Sequence, residues 1–316
     1  MAEYINIKGQ NIEVVASDPA NPTLGQIWYN STSNTLKGLV YAPAAFSTGG
    51  TPVNSKTAGG ISTNGTQSAV TWAGGGPPGP PNNQSTEQYD GTSWSVHPAT
   101  IPYSVFSCGS AGTQTATLIM GGGPTPAGIT MNQTAEFDGS SWTTSGNLNV
   151  GRRNVGGTGT QTAAVALGGG NPPVTAVENY NGTTWTNSGA YPTALYGIAG
   201  LGTQTAALAL GGDPPISNKS NEYNGSTWSS EATMSNTRSF GGSFGTQNDG
   251  ITTGGEPTGI TTEGYNGTSW TTLSNNTSPY TNAYGTGDST AGLIVNGPQS
   301  SEWNAAGPAT KTITSS

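Results

Sequence analysis

Cysteine and histidine each occur once in this chain of 316 residues, as Cys108 and His97. A single thiol forms no internal disulfide, so the fold has to hold without covalent staples, and Cys108 reads as a small buried hydrophobe. Lysine and arginine together number 8 against 16 acids, a formal charge of −8. That balance argues against nucleic acid and anionic membrane surfaces as partners, because neutralising phosphate takes clustered Lys and Arg. No apolar run approaches the roughly 18 residues of a membrane span. The opening MAEYINIKGQNIEVV has polar residues where a signal peptide carries its apolar core, which leads us to expect a product made in the cytoplasm without a leader. The motifs GxSxG, HExxH, the P-loop and Cys-rich zinc spacings are all missing. The acids Asp213, Asp249, Glu231, Glu256 and Asp288 show no pattern that marks a glycosidase pair. We therefore expect no catalysis, no cofactor and no metal. Only 31% of residues are hydrophobic, while Gly numbers 50 and Pro 21, a composition that by itself suggests disorder.

Periodicity overrules composition. Nearly the same text as GTQTAAVALGGGNPPVTAVENYNGTTW, residues 159 to 185, is written five times, with a degraded sixth copy. Each copy begins with a GTQ-type turn, at Gly65, Gly112, Gly159, Gly202 and Gly245, weakened to GDSTA at Gly287. A glycine doublet or triplet follows, then a Glu beside an aromatic, and then a Trp five positions beyond that aromatic. The tryptophans Trp94, Trp142, Trp185, Trp228 and Trp270 are 48, 43, 43 and 42 apart, and the sixth copy has none. A period in this range marks an array or a closed ring of small units, each unable to bury its faces alone.

Each copy reads as four antiparallel strands. A DG or NG pair between aromatic and Trp, such as Asp90-Gly91 or Asn181-Gly182, predicts a tight two-residue hairpin with positive φ at both central positions. Ahead of it, a small-residue strand ends in glycine and then proline, which cannot donate to a ladder. Before that comes a Gly-rich segment, as in YSVFSCGSAG or LYGIAGLG, suited to an inner strand where backbones crowd together. Four such strands make one propeller blade. The six periodic Glu read as structural acceptors of backbone or inter-blade hydrogen bonds, in preference to a ring of ligands.

Glycine doublet, acid plus aromatic, turn and Trp is also the order of marks in a kelch-type blade, which this chain resembles over residues 57 to 313, with a shorter spacing from Tyr to Trp. The resemblance implies an all-β, kelch-like β-propeller of four-stranded blades, preceded by a short N-terminal β-hairpin extension; six copies imply six blades, with the first 45 residues able to add strands to a seventh blade or to close the ring. The domains expected are 1–45 for the extension, 46–56 for a linker and 57–316 for the propeller. Kelch-like oxidases use a copper site with two His, two Tyr and a crosslinked Cys; one His and one Cys cannot assemble it.

Within the extension, residues 1 to 19 suggest a strand pair, YINIKG and NIEVVAS, and the stretch to Tyr41 a hairpin. The residues Asn21, Pro22, Gly25, Trp28, Tyr29, Asn30, Leu36 and Lys37 resemble an "NP…G…WYN…LK" segment of tailed-phage virion proteins, in particular fibre and appendage proteins of marine phages. The GTQTA blades, poor in charge and rich in Thr, Asn and Gly, are similar to kelch-like proteins of marine phage genomes. These resemblances imply a non-enzymatic virion protein, on the tail or particle surface, whose propeller serves host adsorption or decoration. Its partners would be other virion proteins, met through the N-terminal region at Trp28 and Tyr29, and a host surface glycan or protein. A homo-oligomer within the particle is expected. An architectural spacer without a host ligand, and a bacterial kelch-like adhesin or lectin, are the alternatives.

For recognition, the variable loops after the glycine runs are the candidates, since proline-stiffened loops on a rigid scaffold lose little entropy on binding. The residues singled out are Pro77, Pro78, Pro80, Pro124, Pro126, Met131, Pro172 and Pro214.

Overall fold

The computed structural model describes residues 12–54, 56–76, 84–124, 129–257 and 259–313. Among these residues there are 28 strands and no α-helix. The chain divides into two compact units, Met1–Ala44 with Ala305–Ser316, and Ala45–Asn304.

The described residues of the smaller unit form one four-stranded sheet. Its strands are β1 (Glu13–Val15), β2 (Ile27–Asn30), β3 (Thr35–Ala42) and, from the far end of the chain, β28 (Gly307–Thr312), in the order β1-β2-β3-β28. The expected hairpin is β2 and β3, with Tyr29 opposite Leu36. Its polar turn closes because Asn30 Oδ1 accepts from the backbone N–H groups of Thr32 and Ser33. The segment NIEVVAS does supply a strand, β1, which runs parallel to β2. The companion strand YINIKG falls outside the described residues. Residues 305–313, assigned to the propeller from sequence, belong here instead, because β28 pairs along β3 from Gly307 opposite Ala42 to Thr312 opposite Lys37.

The larger unit contains six four-stranded antiparallel sheets. The first has β5 (Gly60–Ile61), β6 (Val70–Ala73), β7 (Thr86–Tyr89) and β8 (Trp94–His97). In the second are β9 (Gly109–Thr113), β10 (Ala116–Met120), β11 (Thr134–Phe137) and β12 (Trp142–Ser145). The third consists of β13 (Gly156–Thr160), β14 (Ala163–Leu167), β15 (Val177–Tyr180) and β16 (Trp185–Asn187). Next come β17 (Ala199–Thr203), β18 (Ala206–Leu210), β19 (Ser220–Tyr223) and β20 (Trp228–Ser230). The fifth sheet holds β21 (Gly242–Thr246), β22 (Asp249–Thr253), β23 (Thr262–Tyr265) and β24 (Trp270–Thr272). In the last, β25 (Tyr284–Gly287), β26 (Ala291–Asn296) and β27 (Gln299–Asn304) are joined by β4 (Ala45–Thr48). The first strands of successive sheets lie side by side in chain order, and β25 lies beside β5. This all-β arrangement of four-stranded antiparallel sheets is consistent with a β-propeller.

The segment read as a linker, 46–56, is not one. Its start is β4, with Phe46 opposite Trp303 and their rings 5.1 Å apart. The sixth copy lacks the outer Trp strand, and β4 takes its place, since β27 would otherwise present an unpaired edge. Further along the same segment, the Val53 and Asn54 backbone N–H groups donate to Glu87, and Lys56 pairs with it.

The DG and NG turns also differ from the two-residue expectation. Each aromatic lies directly opposite its Trp, as Tyr89 does Trp94, so four residues form the loop. Only the glycine, such as Gly91 at φ 91°, has positive φ. The preceding side chain closes the loop: Asp90 Oδ1 accepts from the Thr92 and Ser93 N–H groups, and Asn181 Oδ1 from Thr183 and Thr184. Asp and Asn recur there because a short side-chain oxygen reaches the backbone two and three residues on.

Opposite pairing brings the rings together, with centroids 4.8 Å apart for Tyr180 and Trp185. Four of the five outer Trp then reach the preceding sheet: Trp185 Nε1 donates to Thr134 Oγ1, Trp142 Nε1 to Thr86 Oγ1, Trp270 Nε1 to Ser220 Oγ, and Trp94 Nε1 to Ser300 Oγ in the sixth sheet. The aromatics thus wedge between neighbours, as their recurrence predicts. A second fastener is the Gln of the GTQ turn. Gln204 Nε2 donates to the carbonyls of Ala164 and Tyr180, on two strands of the preceding sheet. Gln67, Gln114, Gln161 and Gln247 repeat this contact. Gln204→Ala should lower stability by about 1 to 3 kcal/mol by leaving two carbonyls without that donor. An unchanged thermal midpoint would show that the latch holds nothing.

Candidate functional site

The loops after the glycine runs share one end of their sheets with the connections between sheets. Isolated bridges tie the two sets together, Phe106 to Gly123, Tyr196 to Asp213 and Ser239 to Glu256. The glycines permit this approach: a Cβ on Gly211, at φ +65°, would stand 2.1 Å from the Arg238 carbonyl oxygen. Of the loop residues chosen from sequence, Pro77, Pro78, Pro80 and Pro126 lie outside the described residues. Pro172 and Pro214 are exposed, and Pro124 is half-buried. Met131 is half-buried and held by its backbone, donating to the Gly122 carbonyl and accepting from Arg152 N–H.

Trp28 is fully buried in the structure, so it offers no free face to a partner. Its Nε1 donates to Asp18 Oδ1, as does Asn30 Nδ2, and Lys37 Nζ sits 2.7 Å from Asp18 Oδ2. These hydrogen bonds, that of Lys37 first, hold the Asp18 carboxyl down at about 2. Tyr29 is half-buried and donates its hydroxyl to Asn34. The residues of the WYN…LK signature therefore build the sheet. Among the described residues, the exposed large apolar groups of this unit are Val14, Leu24, Val40 and Tyr41.

The six periodic glutamates do two different jobs. Glu87, Glu178 and Glu263 stand two residues before their aromatic and are buried. Each accepts from backbone N–H groups and from a buried cation: Lys56, Arg152 and Arg238 respectively. Burial lowers Lys56 to about 8 against the pull of Glu87. Glu136, Glu222 and Glu302 stand one residue before their aromatic, half-buried on the other face of the strand. They accept from the hydroxyls of Tyr180, Tyr265 and Tyr89 in the following sheet. Burial, aided by Glu136, raises Tyr180 to about 12. The two settings alternate around the six sheets. All six carboxylates are structural acceptors.

His97 packs edge-on against Phe137 and accepts from Ala99 N–H. Cys108 is buried, and burial pushes its thiol up to about 12. Among the remaining acids, Asp213 accepts from Tyr196, Asp249 from Ser289 and Glu231 from Ser229. No group of three or more His, Cys, Asp or Glu able to hold a metal occurs among the described residues.

What sequence reading did not find is a cavity of about 350 Å³ walled by the first strands of all six sheets. Its rim carries a collar of equivalent residues ahead of the first strands of five of the six sheets. Ala58, Ser107, Asn154 and Phe240 have φ near 55°, and Gly197 has φ 63°. A chain of backbone bonds links them: Ser107 N–H to Ala58 O, Asn154 to Ser107, Gly197 to Asn154, Phe240 to Gly197 and Ala283 to Phe240. The left-handed conformation costs a non-glycine residue about 1 to 2 kcal/mol. Among the described residues, four of the five non-glycine positive φ values are in this collar. No sequence signal marks it, because Ala, Ser and Phe are poor at positive φ. Arg153 stacks on Phe106, and Tyr196 lies beside Phe240 with ring centroids 5.9 Å apart. Asn282, Tyr284 and the exposed Glu256 complete the side chains of interest here. No protein-family model matches the chain, and no curated protein matches it.

Proposed function

We propose that this chain is a non-enzymatic surface protein of a tailed-phage particle, a six-bladed kelch-like β-propeller displayed for host adsorption or decoration. The observation that carries the reading is the chain order. Residues 45–304 are inserted between two paired strands of a small sheet, β3 and β28. Both flanks of the insertion are strand pairs, Ala42 with Gly307 and Ala45 with Asn304. One unit can therefore anchor while the other is presented. The stretch that resembles phage virion proteins lies wholly within the small unit, and its residues make that unit's core contacts. Attachment would then use the exposed Val14, Leu24 and Tyr41 in place of the buried Trp28, and several copies per particle would multiply weak contacts.

Immunogold labelling of particles purified from the source of the sequence tests this. The full chain is expected on particles, and recombinant residues 45–304 are expected to fold yet fail to associate with particles lacking the protein. Label confined to the soluble fraction, or association by the fragment equal to that of the full chain, would overturn the reading.

A further inference from the structure

At the collar position the fold accepts glycine, as Gly197 shows, and glycine is the residue without strain at positive φ. Three neighbours nevertheless carry Ala58, Ser107 and Phe240, which do not favour that conformation, and a fourth carries Asn154. Strained residues gathered at one place point toward function. Gly197 itself makes room, since a Cβ there would come within 3.0 Å of the Phe240 ring. The ring is seated over bare backbone at the rim of the cavity.

The wall has a definite chemistry. Phe106 and Phe240 supply apolar faces, Ser107, Asn154 and Asn282 supply hydroxyl and amide groups that both donate and accept, and Arg153 and Glu256 balance in charge. Its volume of about 350 Å³ lies within the ~300–1,000 Å³ of small-molecule sites. An amphipathic, neutral molecule with hydroxyls on its edges and C–H groups on its faces suits such a wall. We propose that the central cavity of the larger unit binds a neutral saccharide, stacked on Phe106 or Phe240 and hydrogen-bonded by Ser107, Asn154 and Asn282. That the sugar belongs to a host surface glycan rests on the adsorption reading; the site itself does not.

The test uses the full chain with methyl glucoside, methyl galactoside, methyl mannoside and N-acetylglucosamine as neutral probes, and glucuronic and N-acetylneuraminic acids as acidic ones. Binding is read by saturation-transfer NMR and calorimetry. At least one neutral probe is expected to bind, and Ser107→Gly or Asn154→Gly to weaken it tenfold or more while the melting temperature stays level or rises. A purely structural collar would leave sugar binding, if any, unmoved by either variant. Binding by neither class, binding by acidic probes alone, or undiminished binding in both variants overturns the proposal. Loss of particle labelling with sugar binding intact would remove the virion reading and leave this site standing.

Discussion

Deleting Ala45–Thr48 is expected to abolish cooperative unfolding of the larger unit, and Phe46→Ala to cost about 3 to 5 kcal/mol, the range for truncating a buried aromatic. These four residues are the outer strand of the sixth sheet, although they precede the first sheet in the chain. Without them β27 loses a partner from Ser301 to Asn304, and Trp303 loses the ring of Phe46. The neighbourhood is the junction of last sheet with first. Gly49 N–H donates to the Ser300 carbonyl, Ser300 Oγ to the Gly50 carbonyl, and Trp94 Nε1 to Ser300 Oγ. Beneath them Leu293 and Val295 share a core with Ile61, Trp72 and Trp94. Sheets that bury their faces only against neighbours depend on that junction. Thermal and urea unfolding of the full chain, the β4 deletion and Phe46→Ala provides the measurement. Removal of the small unit alone is the control, and an identical loss in the control would place the weakness there and not at the junction.

Glu263→Gln should destabilise by about 3 to 5 kcal/mol, the cost of leaving a buried charge without its partner. Arg238 and Glu263 are both buried, with Nη2 and Oε1 2.8 Å apart. Ser235 N–H, Asn236 N–H and Asn236 Nδ2 fill the remaining acceptor sites of the carboxylate, and the Gly254 carbonyl takes an Arg238 N–H. Replacing both partners, as in Glu263→Gln with Arg238→Met, is expected to recover much of the loss, because no charge is then stranded. The pair also has a pH signature. Burial pushes the Glu263 carboxyl up, but the hydrogen bonds from Ser235, Asn236 and Arg238 outweigh it and hold the group below its ordinary 4.5. A carboxyl depressed by folding stabilises fully above its unfolded value and loses that contribution as pH falls through the folded one. Stability should therefore decline below about pH 4.5, and less steeply in the double variant. Equal slopes in the two proteins would remove Glu263 from the acid response.

Much of the architecture was legible because it is written six times. The small-residue strands, the glycine and proline loop and the stacked aromatic and Trp follow from local rules that hold wherever the text recurs. The glutamates were legible as structural, and even their division into two settings is encoded by one residue of offset from the aromatic, since a strand turns alternate side chains to opposite faces. Glu178 is two residues before Tyr180 and buried with Arg152; Glu136 is one before Phe137 and reaches into the next sheet. Reading the six as one class hid that alternation.

Other features lay beyond local reading because their partners are far away in the chain. The strand role of Ala45–Thr48 exists only because β27, some 250 residues later, needs a partner. The strand Gly307–Thr312 joins the N-terminal sheet for the same reason. Trp28 looks like a contact residue until Asp18, Asn30 and Lys37 are seen to gather around it. The cavity and its collar belong wholly to tertiary structure, since the walls come from six sheets and the left-handed φ of Ser107 or Phe240 answers to no preference of the residue. Sequence alone thus determined the repeating unit, its strands and its fasteners, all set by spacing within about 45 residues. The contact of the sixth sheet with the first, the insertion between β3 and β28 and the central site were decided by segments that only the folded chain brings together.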